Sequence, residues 1–157
     1  MNHTEMFIAR FYESINVEDP NDLSIESLSD RTDLRVHFWD LTSAIVRFKG
    51  EYKVFINEKL NERQQWQDFG HEMGHYFWHG GRKLYLTNKF VEYQEIKADY
   101  FSYHFCVPTF MLTKLKGLTV YDVMSLFNVE FDFALRRLEM YKNKILENKL
   151  VYERAYY

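Results

Sequence analysis

The chain has 157 residues, 46% hydrophobic and 27% charged, enough to bury one real core and too balanced for a disordered or membrane-spanning protein. Its net charge of -3 argues against a surface devoted to nucleic acid or anionic lipid. A lone cysteine, Cys106, rules out an internal disulfide and suits a reducing, cytoplasmic compartment.

The N-terminal stretch MNHTEMFIARFYE carries acids among its apolar residues, unlike the apolar core of a signal peptide. Met6, Phe7, Phe11 and Ile15 recur at helical spacing, predicting an amphipathic helix over 4–16. Asp19-Pro20-Asn21-Asp22 reads as a turn, and Ser24 to Leu28 as the start of a short helix. Leu34 to Trp39, Ala44 to Phe48 and Val54 to Ile56 are short β-branched and aromatic runs, predicting a small antiparallel sheet of about three strands. The helical period returns from Glu62 to Trp78, and Gly80-Gly81 supplies a stop. Further helices are expected over Phe90 to Phe105, Thr119 to Phe127 and Phe131 to about Lys149, the last two joined at Asn128. The expected fold class is α+β: the sheet packed against the helix that begins at Glu62, with several more helices around it. No linker or repeat divides the chain, so residues 1–157 are expected to form one domain, with a core over about 34–110 and a helical part over about 111–157.

The stretch FGHEMGHYFWHGG, residues 69–81, carries the chemistry. His71 and His75 lie four apart, so on a helix they project from one face with room for an ion between their imidazoles. Glu72 is turned away from both, beside an ion rather than on it. This is the H-E-x-x-H arrangement of zinc peptidases, two metal ligands and a base for the attacking water. His79 lies about 12 Å along the axis from His71, too far to join a site with bonds of about 2.0–2.1 Å. Trp66, Phe69, Met73 and Phe77 form an apolar stripe nearly opposite the histidines; with the stripe on the sheet, a second helix could cover them. The helix from Phe90 offers Glu92, Glu95, Asp99 and Tyr103 on roughly one face. One of these acids can complete the metal site while another orients a ligand histidine from behind, and spacing alone leaves Glu92 and Glu95 both open as the third ligand.

These segments resemble the ImmA/IrrE family of metallo-endopeptidases. The matching pieces are Ile56-Asn57, then Phe69-Gly70-His71-Glu72-Met73-Gly74-His75 with His79, then Glu95-Ile96-Lys97-Ala98-Asp99-Tyr100-Phe101, and Phe105-Cys106-Val107-Pro108. The similarity spans roughly residues 50–140; Ser102 stands where the family commonly has alanine, and Gly70 where it usually has alanine too. The resemblance implies a gluzincin-like zinc site with one Zn2+ held by His71, His75 and Glu95, Glu72 as general base, and Asp99 supporting the first histidine. It implies a protein substrate, a helix-turn-helix transcriptional repressor of a mobile element or stress-response gene. Tyr103 and His104 are candidates for the donor that stabilises the tetrahedral oxyanion.

Two other readings compete. A metal-holding sensor or adaptor would use the same ligands, but it has no need of a base at Glu72. A helix-turn-helix DNA-binding regulator would use residues 119–141, but the second helix opens on Glu130-Phe131-Asp132-Phe133, acidic where phosphate contacts belong, with only Arg136 and Arg137 to offset it. Cys106, in an apolar run before proline, reads as a buried structural thiol. His3 and His37 read as incidental.

Overall fold

A computed structural model describes residues 1–79 and 87–155. In chain order they form α1 (His3–Ser14), a 3-10 turn (Pro20–Asp22), α2 (Ile25–Arg31), β1 (Arg35–Trp39), β2 (Ala44–Phe48), β3 (Glu51–Asn57), α3 (Glu62–His79), α4 (Asn88–Cys106), the short α5 (Thr109–Leu112), α6 (Val120–Phe127) and α7 (Phe131–Ala155). The α+β expectation holds, and so do nearly all the element positions. The short α5 has no counterpart among the predicted helices, and the expected glycine stop at Gly80-Gly81 lies outside the described residues.

The three strands form a mixed sheet of order β1-β3-β2, not a purely antiparallel one. β2 and β3 are an antiparallel hairpin, whereas β1 runs parallel to β3 with Val36 opposite Val54 and Phe38 opposite Ile56. The hairpin turns on Lys49 and Gly50, both at positive φ (51° and 83°), the backbone twist that suits two-residue hairpin loops. β3 takes the centre because it carries the two strand residues with no exposure at all, Val54 and Ile56. Among the described residues β1 and β2 are the outer strands.

Capping side chains start α1, α2 and α6. Asn2 and Glu5 close a capping box at α1, Ser24 caps α2, and Thr119 with Asp122 does the same for α6. Asn128, left-handed at φ 51°, ends α6 and lets Val129 drop into the core before α7 begins.

The apolar stripe of α3 shares one core with Val54 and Ile56 of the sheet and with the rings of Phe7 and Phe11 of α1 and Phe101 and Phe105 of α4. The sheet also meets the neighbouring flank of α3, at Asp68, Glu72 and Tyr76. This leaves the histidine face of α3 open between α4 and the edge of β2.

Candidate metal centre

α3 and α4 cross closely because glycines allow it. A Cβ on Gly74 would lie 2.9 Å from Ala98 Cα, and one on Gly70 would lie 2.6 Å from Cys106 Sγ. Gly70 and Gly74 immediately precede the two histidines, so the absence of side chains there brings the histidine face of α3 against the acidic face of α4. The four-residue spacing of the two glycines on one face was the sequence signal for this approach.

At this crossing His71, His75 and Glu95 converge, each offering a ligand atom within 4.8 Å of the others. His71 Nε2 is 3.0 Å from His75 Nε2 and 3.1 Å from Glu95 Oε2, and His75 Nε2 is 3.4 Å from Glu95 Oε1. A tetrahedral zinc with bonds of about 2.0–2.1 Å places neighbouring ligand atoms about 3.3 Å apart, so the spacing fits. The orientation of the ring fits as well. His71 Nδ1 lies 2.7 Å from Asp99 Oδ1, which turns Nε2 toward Glu95 and His75. There Nε2 meets a carboxylate oxygen and a second imidazole nitrogen, a donor set that suits a divalent cation. His75 is buried, His71 and Glu95 are half-buried, and the cluster opens to solvent on the Glu95 side.

Glu92, the other acid open on spacing alone, is exposed and is not among the converging residues. His79 ends α3, and its side chain lies outside the described residues. Glu72 is buried next to His71 in the chain, and its Oε2 accepts the Ile45 N–H of β2 at 2.9 Å.

Tyr103 lies one turn beyond Asp99 on the same side of α4. Its ring packs on Phe133 at 4.5 Å, and burial, then the Asp99 charge, raise its phenol above the ordinary range. His104 does not belong near the cluster: nine residues after Glu95 is half a revolution of helix, which carries it to the opposite face. There it is buried against Glu5, with its Nδ1 3.8 Å from Glu5 Oε1, and against the Tyr100 ring. Burial, then the positive charge of Arg137, push its pKa down to about 3, so the ring is neutral at physiological pH.

Sequence reasoning missed Arg137. Its side chain is buried, donating to the Tyr103 and Val107 carbonyls at the end of α4 and to Thr109 Oγ1. One of the two cations weighed for DNA contact is thus committed to the core. Also missed was the group around Ser43, whose hydroxyl donates to Asp68 Oδ2 at 2.6 Å and accepts the Asn57 N–H at 3.0 Å. Cys106 is buried as expected, and burial raises its thiol well above the ordinary range. His37 stacks on Phe55 on the outer sheet face, and His3 lies against Trp78. Among the described residues no helix is long and apolar enough to cross a membrane.

The model of a peptidase family, the IrrE N-terminal-like domain, matches residues 23–139. The chain is similar to the phage-like element PBSX protein XkdA of Bacillus subtilis (strain 168), 32% identical over 149 residues, 92% of this chain and 75% of that protein. It is also similar to the uncharacterized protein YqaB of the same strain, 30% identical over 152 residues, 94% of this chain and 88% of that protein. With the family model and the relatives both spanning most of its length, the chain belongs to the IrrE N-terminal-like family of peptidases, the ImmA/IrrE family.

Proposed function

We propose that this chain is a zinc-dependent endopeptidase that makes a site-specific cut in a helix-turn-helix transcriptional repressor, and that residues 1–157 act as one metallopeptidase-like domain in the cytoplasm. The observation that carries the reading is the convergence of His71, His75 and Glu95 with a buried carboxylate, Glu72, beside them. The similarity to a protein of a phage-like element supports a substrate that governs such an element.

In this reading His71, His75 and Glu95 would hold a divalent ion, which would supply Lewis-acid chemistry to water and to the scissile carbonyl. Asp99 keeps the proton on His71 Nδ1 and so keeps Nε2 available as a ligand. Glu72 takes the proton as the water oxygen bonds to the scissile carbonyl carbon, then delivers it to the amine nitrogen as the C–N bond breaks. Tyr103 stays on the cluster's side of α4 as the candidate for the oxyanion donor; His104 is withdrawn, because its ring is buried on the other face.

The test is to incubate the zinc-loaded chain with helix-turn-helix repressors encoded beside its gene and to identify products by mass spectrometry. The expected result is one cut at a single peptide bond in one repressor, abolished in Glu72→Gln with the metal retained. Equal cleavage by Glu72→Gln would refute the mechanism, and binding without cleavage would favour the adaptor reading.

A further inference from the structure

Glu72 is held from outside the metal cluster, by the edge of the sheet. α3 meets β2 at two points one helical turn apart. Asp68 Oδ2 accepts from the Ser43 hydroxyl at 2.6 Å, and Glu72 Oε2 accepts from the Ile45 N–H at 2.9 Å. Asp68 and Glu72 share a flank of α3 because they are four residues apart, and they meet Ser43, which immediately precedes β2, and Ile45 within it. The Ser43 oxygen also accepts the N–H of Asn57, the last residue of the central strand. One buried hydroxyl therefore ties the start of β2, the end of β3 and the middle of α3 together.

The geometry points to Ser43 and Asp68 as positioning residues that set the Glu72 carboxyl through the backbone of Ile45. The inference rests on the reading of Glu72 as the proton-transferring group. Among the described residues β2 pairs only with β3, and its Ile45 stands opposite Val54. In an antiparallel pair the N–H groups of successive residues point to opposite sides of the strand. With Ile45 N–H directed at Glu72, those of Ala44 and Val46 face β3. A one-residue slip would aim the wrong amides at α3 and leave the carboxyl without its donor. The Ser43–Asp68 bond opposes that slip at the neighbouring turn. A hydrogen bond at Oε2 fixes the plane of the Glu72 carboxyl and so the direction of Oε1. A charge-assisted bond from a backbone N–H is among the stronger ones a side chain makes. Neither Ser43 nor Asp68 need touch substrate or ion to do this.

Residue-resolved amide hydrogen exchange on the full chain, in zinc-containing buffer, tests the inference without a substrate. The Ile45 amide is expected to exchange slowly in the wild type and about tenfold faster or more in Glu72→Ala, the scale of losing a hydrogen bond to a charged acceptor. Ser43→Ala and Asp68→Ala are expected to release Ile45 by a similar factor while Ala44 and Val46 keep their wild-type rates. Ser43→Thr, which retains the hydroxyl, is expected to restore slow exchange at Ile45. An Ile45 rate untouched by Ser43→Ala overturns the inference. So does uniform acceleration along all of β2, which would make Ser43 merely structural, and so does an Ile45 amide that ignores Glu72→Ala. Failure of the peptidase reading registers separately, as missing metal or missing cleavage beside an intact exchange pattern.

Discussion

Nδ1 of His71 and Oδ1 of Asp99 lie 2.7 Å apart, although the two residues are separated by 28 positions and sit on different helices. The contact fixes the orientation of the His71 ring, which in the proposed reading is a metal ligand. Asp99 is itself exposed, so the bond contributes through orientation more than through burial. Asp99→Ala is expected to weaken zinc binding about 10–100-fold while leaving the fold intact, as read by competition with a chelator of known affinity. An affinity equal to the wild type's would mean that the helix crossing alone orients His71.

The two glycines of α3 make opposite predictions about rescue. By helix propensity, Gly→Ala should stabilise by about 1 kcal/mol. At Gly74 the added methyl meets the backbone of Ala98 at 2.9 Å, which no side-chain truncation can relieve. Overpacking of this kind costs about 1–3 kcal/mol, so Gly74→Ala is expected to lose up to about 2 kcal/mol net and to weaken metal binding by parting α3 from α4. At Gly70 the obstacle is the Cys106 thiol, a side chain. Gly70→Ala is therefore expected to be destabilising alone and close to neutral in the double variant with Cys106→Ala. Denaturant titration of the wild type, Gly74→Ala, Gly70→Ala, Cys106→Ala and the double variant measures both; additive losses at Gly70 and Cys106 would contradict the packing account.

Acid should destabilise the chain in two windows. His104, held neutral by burial and by Arg137, has a folded pKa near 3 against about 6.5 when unfolded. The unfolded chain alone takes up that proton between these values, so stability falls as pH drops from about 6.5 to 3, by at most about 1.4 kcal/mol per pH unit. Glu5 acts lower. Burial alone would raise its carboxyl, but bonds from Lys144, the Asn2 N–H and Thr109 outweigh burial and hold it at about 2. Its contribution is complete above the unfolded value of about 4.3 and lost as pH falls toward 2. His104→Phe, compared with wild type by urea unfolding from pH 7 to 4, is expected to flatten the decline between pH 6.5 and 4.5. An unchanged slope would mean that the ring takes up its proton inside the fold.

Much of the site was legible in the sequence because it is built on helical spacing. His71 and His75 at four apart, and Glu95 and Asp99 at four apart, needed only that two helices face one another. What periodicity could not decide was which acid, Glu92 or Glu95, lies at the crossing. The family motif favoured Glu95, and the crossing at Gly74 and Ala98 brings Glu95 to the histidines. The sheet was read with the right strands and the wrong pairing, since strand order depends on which strand is buried on both sides, and that is a tertiary outcome. His104 and Arg137 were misjudged for a related reason. Each is a polar residue whose helix face is turned inward by α1 and α7, so composition suggested a surface where the chain builds a buried ionic cluster with Glu5. Ser43 and Asp68 gave no signal, because a strand-end serine and a helix aspartate are ordinary until the edge strand is laid against α3.

The most direct test of the account is metal stoichiometry by native mass spectrometry on the wild type, Glu95→Gln and Glu92→Gln after zinc reconstitution. One zinc per chain in the wild type and in Glu92→Gln, with little or none in Glu95→Gln, is the predicted result. A wild type that binds no metal, or a zinc that survives Glu95→Gln and is lost in Glu92→Gln, would contradict it.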